Sequence, residues 1–294
     1  MPDSTDALSV VFRAVSFVLL LNAAGIAIFI AVLGRWLADS RMAIHRLGWQ
    51  LAVAALAFVT GHQLLEAARM AGEMGGMVDP AMQETAMRSP QGAAFGLRVL
   101  GLTLVAVGLW RGAVAVSLLG AVAVPLMGVV LCVVSFALTG HTSVAPHRAA
   151  LAVLLIFHLL VVAFWLGALW PLCISTSKET PSVAARLIDA FSKLAVWLVP
   201  GIAVAGVALT ALLVPNLAVF KQPYGQLVLA KVALFAVLMG LAAFNKWTFG
   251  PAIGTGDARV AGAFRRTVIC EYVLICAVLT ITAILTTFYS PEAP

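Results

Sequence analysis

The chain has 294 residues, the length of one or two soluble domains, yet 63% of it is hydrophobic and only 10% is charged, with mean hydropathy +1.07. A water-soluble fold of that size has too little interior to hide so much apolar surface, whereas a bilayer takes up about 20 apolar residues at each helical crossing. Disorder, a disulfide scaffold and a nucleic-acid-binding domain are excluded by the same numbers, and long unbroken apolar runs exclude an outer-membrane barrel, whose strands alternate.

In chain order, eight segments are long and apolar enough to span: 8–33, 48–68, 92–110, 113–139, 149–175, 194–216, 225–245 and 267–289. The fold class expected is an all-α polytopic membrane protein of eight transmembrane helices. The head MPDSTD carries acids and no base. The apolar run after it is too long for a signal peptide and lacks a clean cleavage site, so it reads as a retained span. With the N-terminus outside, the cytoplasmic connections hold Arg35, Arg41, Arg46, Arg111, Lys178, Arg186, Lys193, Lys246, Arg259, Arg265 and Arg266, against Arg69, Arg88, Arg148 and Lys221 on the other face. That bias predicts N-out and C-out topology, with both termini periplasmic in a bacterial inner membrane. Trp36, Trp49, Trp110, Trp170, Trp247 and Tyr289 sit near the span ends, as interfacial anchors do.

Pro90-x-Gly92 followed by five residues and Arg98 recurs as Pro223-x-Gly225 followed by five residues and Lys231, each copy opening a span. The copies are four spans apart. A true repeat would make 1–294 a single membrane domain of two parallel four-helix halves, 1–139 with an outer loop at 69–91, and 140–294.

Charged and metal-ligating side chains in hydrocarbon are costly, so each is a candidate for function. Arg13, His62, Glu66, Arg98, His158, Lys231 and Glu271 qualify, as do Cys132, Cys173, Cys270 and Cys276. The ionic ones divide evenly between function and structural pairing of Arg98 or Lys231 with Glu66 or Glu271. The cysteines, with no CxxC among them, read as small buried hydrophobes. His45 falls in the first connection, where solvent is expected to reach it. His62, His141, His147 and His158 all fall in the outer half or its loops, and imidazoles gathered at one depth form a metal-ligand set.

The outer loop ARMAGEMGGMVDPAMQETAMRS adds Met70, Met74, Met77, Met82 and Met87. Thioethers in a wet loop suit Cu(I) over Cu(II) and remain usable where thiols would oxidise. If the second helix ran on outward, His62, Glu66, Met70, Glu73 and Met77 would share a stripe of roughly 90°, although Gly72, Gly75 and Gly76 oppose continuation beyond Met70. The competing reading of the loop is an amphipathic lid on the membrane surface. The expected metal set is therefore His62, His141, His158, Glu66, Met70, Met74, Met77 and His147, with Glu66 orienting His62.

The second half carries a resemblance. FHLLVVAFWLGALWPL around His158, FSKLAVWLVPGIAVAGVALTALL from Phe191, and QPYGQLVLAKVALFAVLMGLAAFNKW through Tyr224, Gly225, Lys231 and Asn245 resemble the copper resistance protein D (CopD) family. The departures are Pro200 and Gly201, expected to interrupt the sixth span, and Lys246 where the family often has Arg. The resemblance implies an eight-span inner-membrane protein that works with a periplasmic CopC-like copper-binding partner and passes copper across the membrane. With no ATP-binding loop and no phosphorylatable Asp motif, the expectation is a passive or ion-coupled transporter and not an enzyme. Two alternatives stay open: a b-type haem held between His62 and His158, and a scaffold that binds copper without moving it.

Overall fold

The computed structural model describes residues 4–289 except 113–117, 141, 142, 144, 146 and 215. The described residues are helical, without a strand. The helices are α1 (Ser4–Leu33), α2 (Arg41–Ala71), α3 (Pro80–Arg88), α4 (Pro90–Gly112), α5 (Leu118–Val134), α6 (Arg148–Lys178), α7 (Pro181–Leu213), α8 (Pro223–Phe244) and α9 (Ala258–Phe288). Seven helical segments among the described residues are long and apolar enough to cross a bilayer. The fourth expected span appears as a shorter apolar helix, Val122–Leu138, because the first residues of segment 113–139 lie outside the described part. Seven helices of that length and apolarity are those of a multi-pass membrane protein.

Helix α1 is the hub and packs against α2, α5, α6 and α9. Leu20, Leu21, Ala23, Ala24, Ile26 and Phe29 on it are fully buried. Small residues let backbones meet where lipid supplies no hydrophobic drive for helix pairing. A Cβ on Gly25 would stand 1.7 Å from the Ala163 carbonyl oxygen of α6, and between α4 and α5 a Cβ on Gly101 or on Gly128 would stand 2.6 or 2.4 Å from the other's carbonyl oxygen. By contrast α7 and α8 present Trp197, Val204 and Val237 outward, on faces lipid covers.

Contacts between chain-distant residues assign the helix ends to two poles. At one, the Glu179 carboxylate after α6 accepts from the backbone N–H groups of Ala38, Asp39 and Ser40 and from the Ser40 hydroxyl. There an acid from the connection between α6 and α7 satisfies the donors of the turn leading into α2 and faces the helix's positive dipole end. Burial alone would raise the Glu179 pKa, but these hydrogen bonds outweigh it and hold the carboxyl below its ordinary value. His45 belongs to the same pole and is buried, not solvated. Because α2 starts at Arg41, His45 lies one turn inside, with Nδ1 3.0 Å from the Leu109 carbonyl oxygen of α4. At the opposite pole Arg13 near the start of α1 donates to the Thr286 carbonyl near the end of α9 at 3.2 Å, so the two ends of the described chain meet.

One expectation about helix limits is corrected, and the stop that the glycines after Met70 foreshadowed is seen. Pro200 and Gly201 do not interrupt α7, which runs from Pro181 to Leu213 through them. The second helix stops at Ala71, where Gly72 takes the left-handed cap at φ 76°. Gly76 then folds back so tightly that a Cβ there would lie 2.5 Å from the Ala71 Cβ. The stripe from His62 to Met77 therefore ends at Met70.

Candidate functional site

A cavity of about 1070 Å³ opens in the bundle at the Arg13 pole, reaching from Arg13, His62, Glu66 and Arg98 across to His158 and Lys231, with Trp165 deeper on its wall. It is at the upper end of the usual size of ligand pockets, about 300–1,000 Å³.

Its polar rim is an arginine network. Arg13 Nη2 donates to Glu66 Oε1 at 3.0 Å, Arg13 Nε donates to His62 Nε2 at 3.0 Å, and Arg13 Nη1 reaches Thr287 Oγ1 at 3.0 Å. Arg69, one turn beyond Glu66, donates to both of its oxygens and to Asp6 Oδ1. Helical spacing of three and four places His62, Glu66 and Arg69 together on α2. A guanidinium can only donate, so His62 accepts through its Nε2 lone pair and carries its proton on Nδ1. That lone pair is the one a metal or a haem iron would need, and the Glu66 charge is already shared by two arginines.

His158 differs. It lines the same cavity from α6, where its buried Nδ1 makes no well-formed hydrogen bond although the imidazole sits beside the Ile202 backbone of α7. Among the described residues no three His, Cys, Asp or Glu side chains form a group able to hold a metal. His141 lies outside the described residues. His147 is exposed at the N-cap of α6. Met70 is exposed at the end of α2, Met74 is exposed and Met77 half-buried at the two ends of a 3₁₀ turn, and Met87 is exposed on α3. Gln63 Nε2 approaches the Met87 sulfur at 3.7 Å, which ties the methionine segment to α2 beside His62.

The acids and bases do not pair as expected. Glu271 accepts from Asn245 Nδ2 and from Trp165 Nε1 at 3.3 Å, while Asn245 accepts from Thr267, and neither Arg98 nor Lys231 meets a carboxylate. Asn245 opens a π-helical turn, Asn245–Phe249, a local widening frequent at functional sites. Glu271 and Asn245 were visible in the sequence as an intramembrane acid and part of a motif. That Trp165 and Thr267 would complete their network had no local signal.

Residues 185–285, from α7 to near the end of α9, match the family model of copper resistance protein D. Over this segment, well under half of the chain, the sequence is similar to the CopD family. No curated protein and no solved structure matches it. The CopD segment contains Lys231, Asn245 and Glu271, whereas Arg13, His62, Glu66 and the methionine loop lie before it. The match and the seven apolar helices support a membrane protein related to copper resistance.

Proposed function

We propose that this protein takes copper, as Cu(I), at the Arg13 pole and passes it across the bacterial inner membrane toward the cytoplasm. The single observation that carries the reading is the CopD match on a bundle with a large cavity. In this reading the bundle crosses eight times with both termini periplasmic. The Arg13–Thr286 contact supports an even number of crossings, and the bias of basic residues toward the Glu179 pole supports that pole as cytoplasmic. Met70, Met74 and Met77 offer soft, exchangeable ligands that accept copper from a CopC-like partner. His158, whose Nδ1 makes no well-formed hydrogen bond, is the deep ligand, to be joined by His141. His62 joins only by giving up its bond to Arg13.

Metal analysis of the purified full chain together with its visible spectrum tests this. Copper without a Soret band is expected. His158→Ala should bring bound copper close to zero, whereas His62→Gln, which keeps an acceptor for Arg13, should retain most of it. Copper content unchanged in His158→Ala would overturn the deep site, and a Soret band would favour haem.

A further inference from the structure

Charge balance at the cavity leaves room for an anion besides any metal. Its lining carries Arg13, Arg69, Arg98 and Lys231 against the single acid Glu66. Glu66 is consumed by Arg13 and Arg69. Arg98, only 8% exposed, spends Nε on Ser135 Oγ at 3.0 Å and lays its guanidinium 4.7 Å over the Phe136 ring. Its two terminal nitrogens, like the Lys231 ammonium, make no hydrogen bond or ion pair among the described residues. A buried cation in a membrane protein ordinarily has a partner. Here a buried one, Arg98, and a half-buried one, Lys231, line one cavity.

The same local device places both. Pro90 and Pro223 each open a helix, where proline's missing N–H costs nothing. Two residues on, a glycine seats the first turn against the preceding connection: a Cβ would lie 2.1 Å from the Met87 carbonyl oxygen at Gly92, and 2.3 Å from that of Val219 at Gly225. Each helix start is thereby fixed, and the base about two turns inside is delivered to the cavity. Deeper, the cavity is walled by apolar side chains such as Leu155, Val162, Ile202, Phe235 and Leu279.

We propose that this cavity binds a phosphate-type anion on its unpaired bases, Arg98 and Lys231. Guanidinium groups hold phosphate oxygens through paired N–H donors, and basic pockets between transmembrane helices hold lipid head groups. A phospholipid would place its phosphodiester on the two bases and an acyl chain along the apolar wall, whereas free phosphate would use the bases alone. The site does not rest on the copper reading, and its failure would leave that reading untouched.

The test uses the detergent-solubilised full chain titrated with phosphatidylglycerol, with phosphatidylcholine or with inorganic phosphate, read by native mass spectrometry and thermal shift. Saturable binding is expected, weakened about tenfold or more by Lys231→Met and by Arg98→Gln and unchanged by Lys221→Met, whose lysine is exposed outside the cavity. If phosphatidylglycerol shows this dependence the anion is a lipid phosphodiester, and if only inorganic phosphate shows it the anion is soluble. Should Arg98→Gln fail to fold, Lys231→Met decides alone. No saturable binding of any of the three, or binding that Lys231→Met leaves at the wild-type level, overturns the proposal.

Discussion

Glu179 shows how one side chain can organise a pole of the bundle. It stands between α6 and α7, yet its oxygens serve the donors of the turn leading into α2, about 140 residues earlier in the chain. Because its folded pKa is depressed, the carboxylate adds stability at pH values above the ordinary glutamate range, near 4.3, and that stability is lost as pH falls through the lower folded value. Glu179→Gln should cost about 1–3 kcal/mol at neutral pH in detergent thermal or chemical unfolding. Wild type and variant should converge in acid. A gap that persists in acid would mean that packing, not charge, fixes the turn. Nothing in the sequence announced this contact, since residue types and local spacing do not say which acid meets which donor across the bundle. The same holds at the other pole. The depth of Arg13, His62 and Glu66 was legible from the apolar runs around them, but that Arg13 would take the His62 lone pair, leaving Arg98 and Lys231 without an acid, depends on packing between helices.

Among the elements, the crossings were legible and their ends were not. Apolar runs place the hydrocarbon-spanning part of each helix because burial in lipid is the dominant constraint. Helices continue beyond the apolar run where caps and ion pairs allow it. Thus α2 starts at Arg41, not 48, after the turn that Glu179 holds, and α7 starts at Pro181, not 194, with Asp189 and Lys193 paired at 2.7 Å along the extension. The methionine segment was legible in composition, and its break at Gly72 was foreshadowed by the glycines. What composition cannot say is whether the thioethers bind. Replacing Met70, Met74 and Met77 together with Leu keeps volume and apolarity, so a lid would survive the change and a ligand set would not. Slower copper loading at low copper is expected, with Tm unchanged and the His158 site still filling at high copper. Loading at the wild-type rate would make the segment a lid.

At the scale of the whole molecule, the bundle combines a large cavity at one pole with a narrower polar network of Trp165, Glu271, Asn245 and Thr267 deeper along the same helices. Passage toward the cytoplasm would run from the first to the second. The similarity to copper resistance protein D is what brings copper into the proposal, and the cavity offers a place to hold it. The central claim is movement of the metal, and it separates from mere binding in one measurement: copper accumulation inside sealed proteoliposomes that hold the full chain and a luminal Cu(I) indicator, with copper supplied outside. The account predicts time-dependent luminal copper above protein-free vesicles, reduced to near background by His158→Ala. Copper that binds the vesicles in proportion to protein while the lumen stays at the protein-free level would contradict it and leave a copper-holding scaffold.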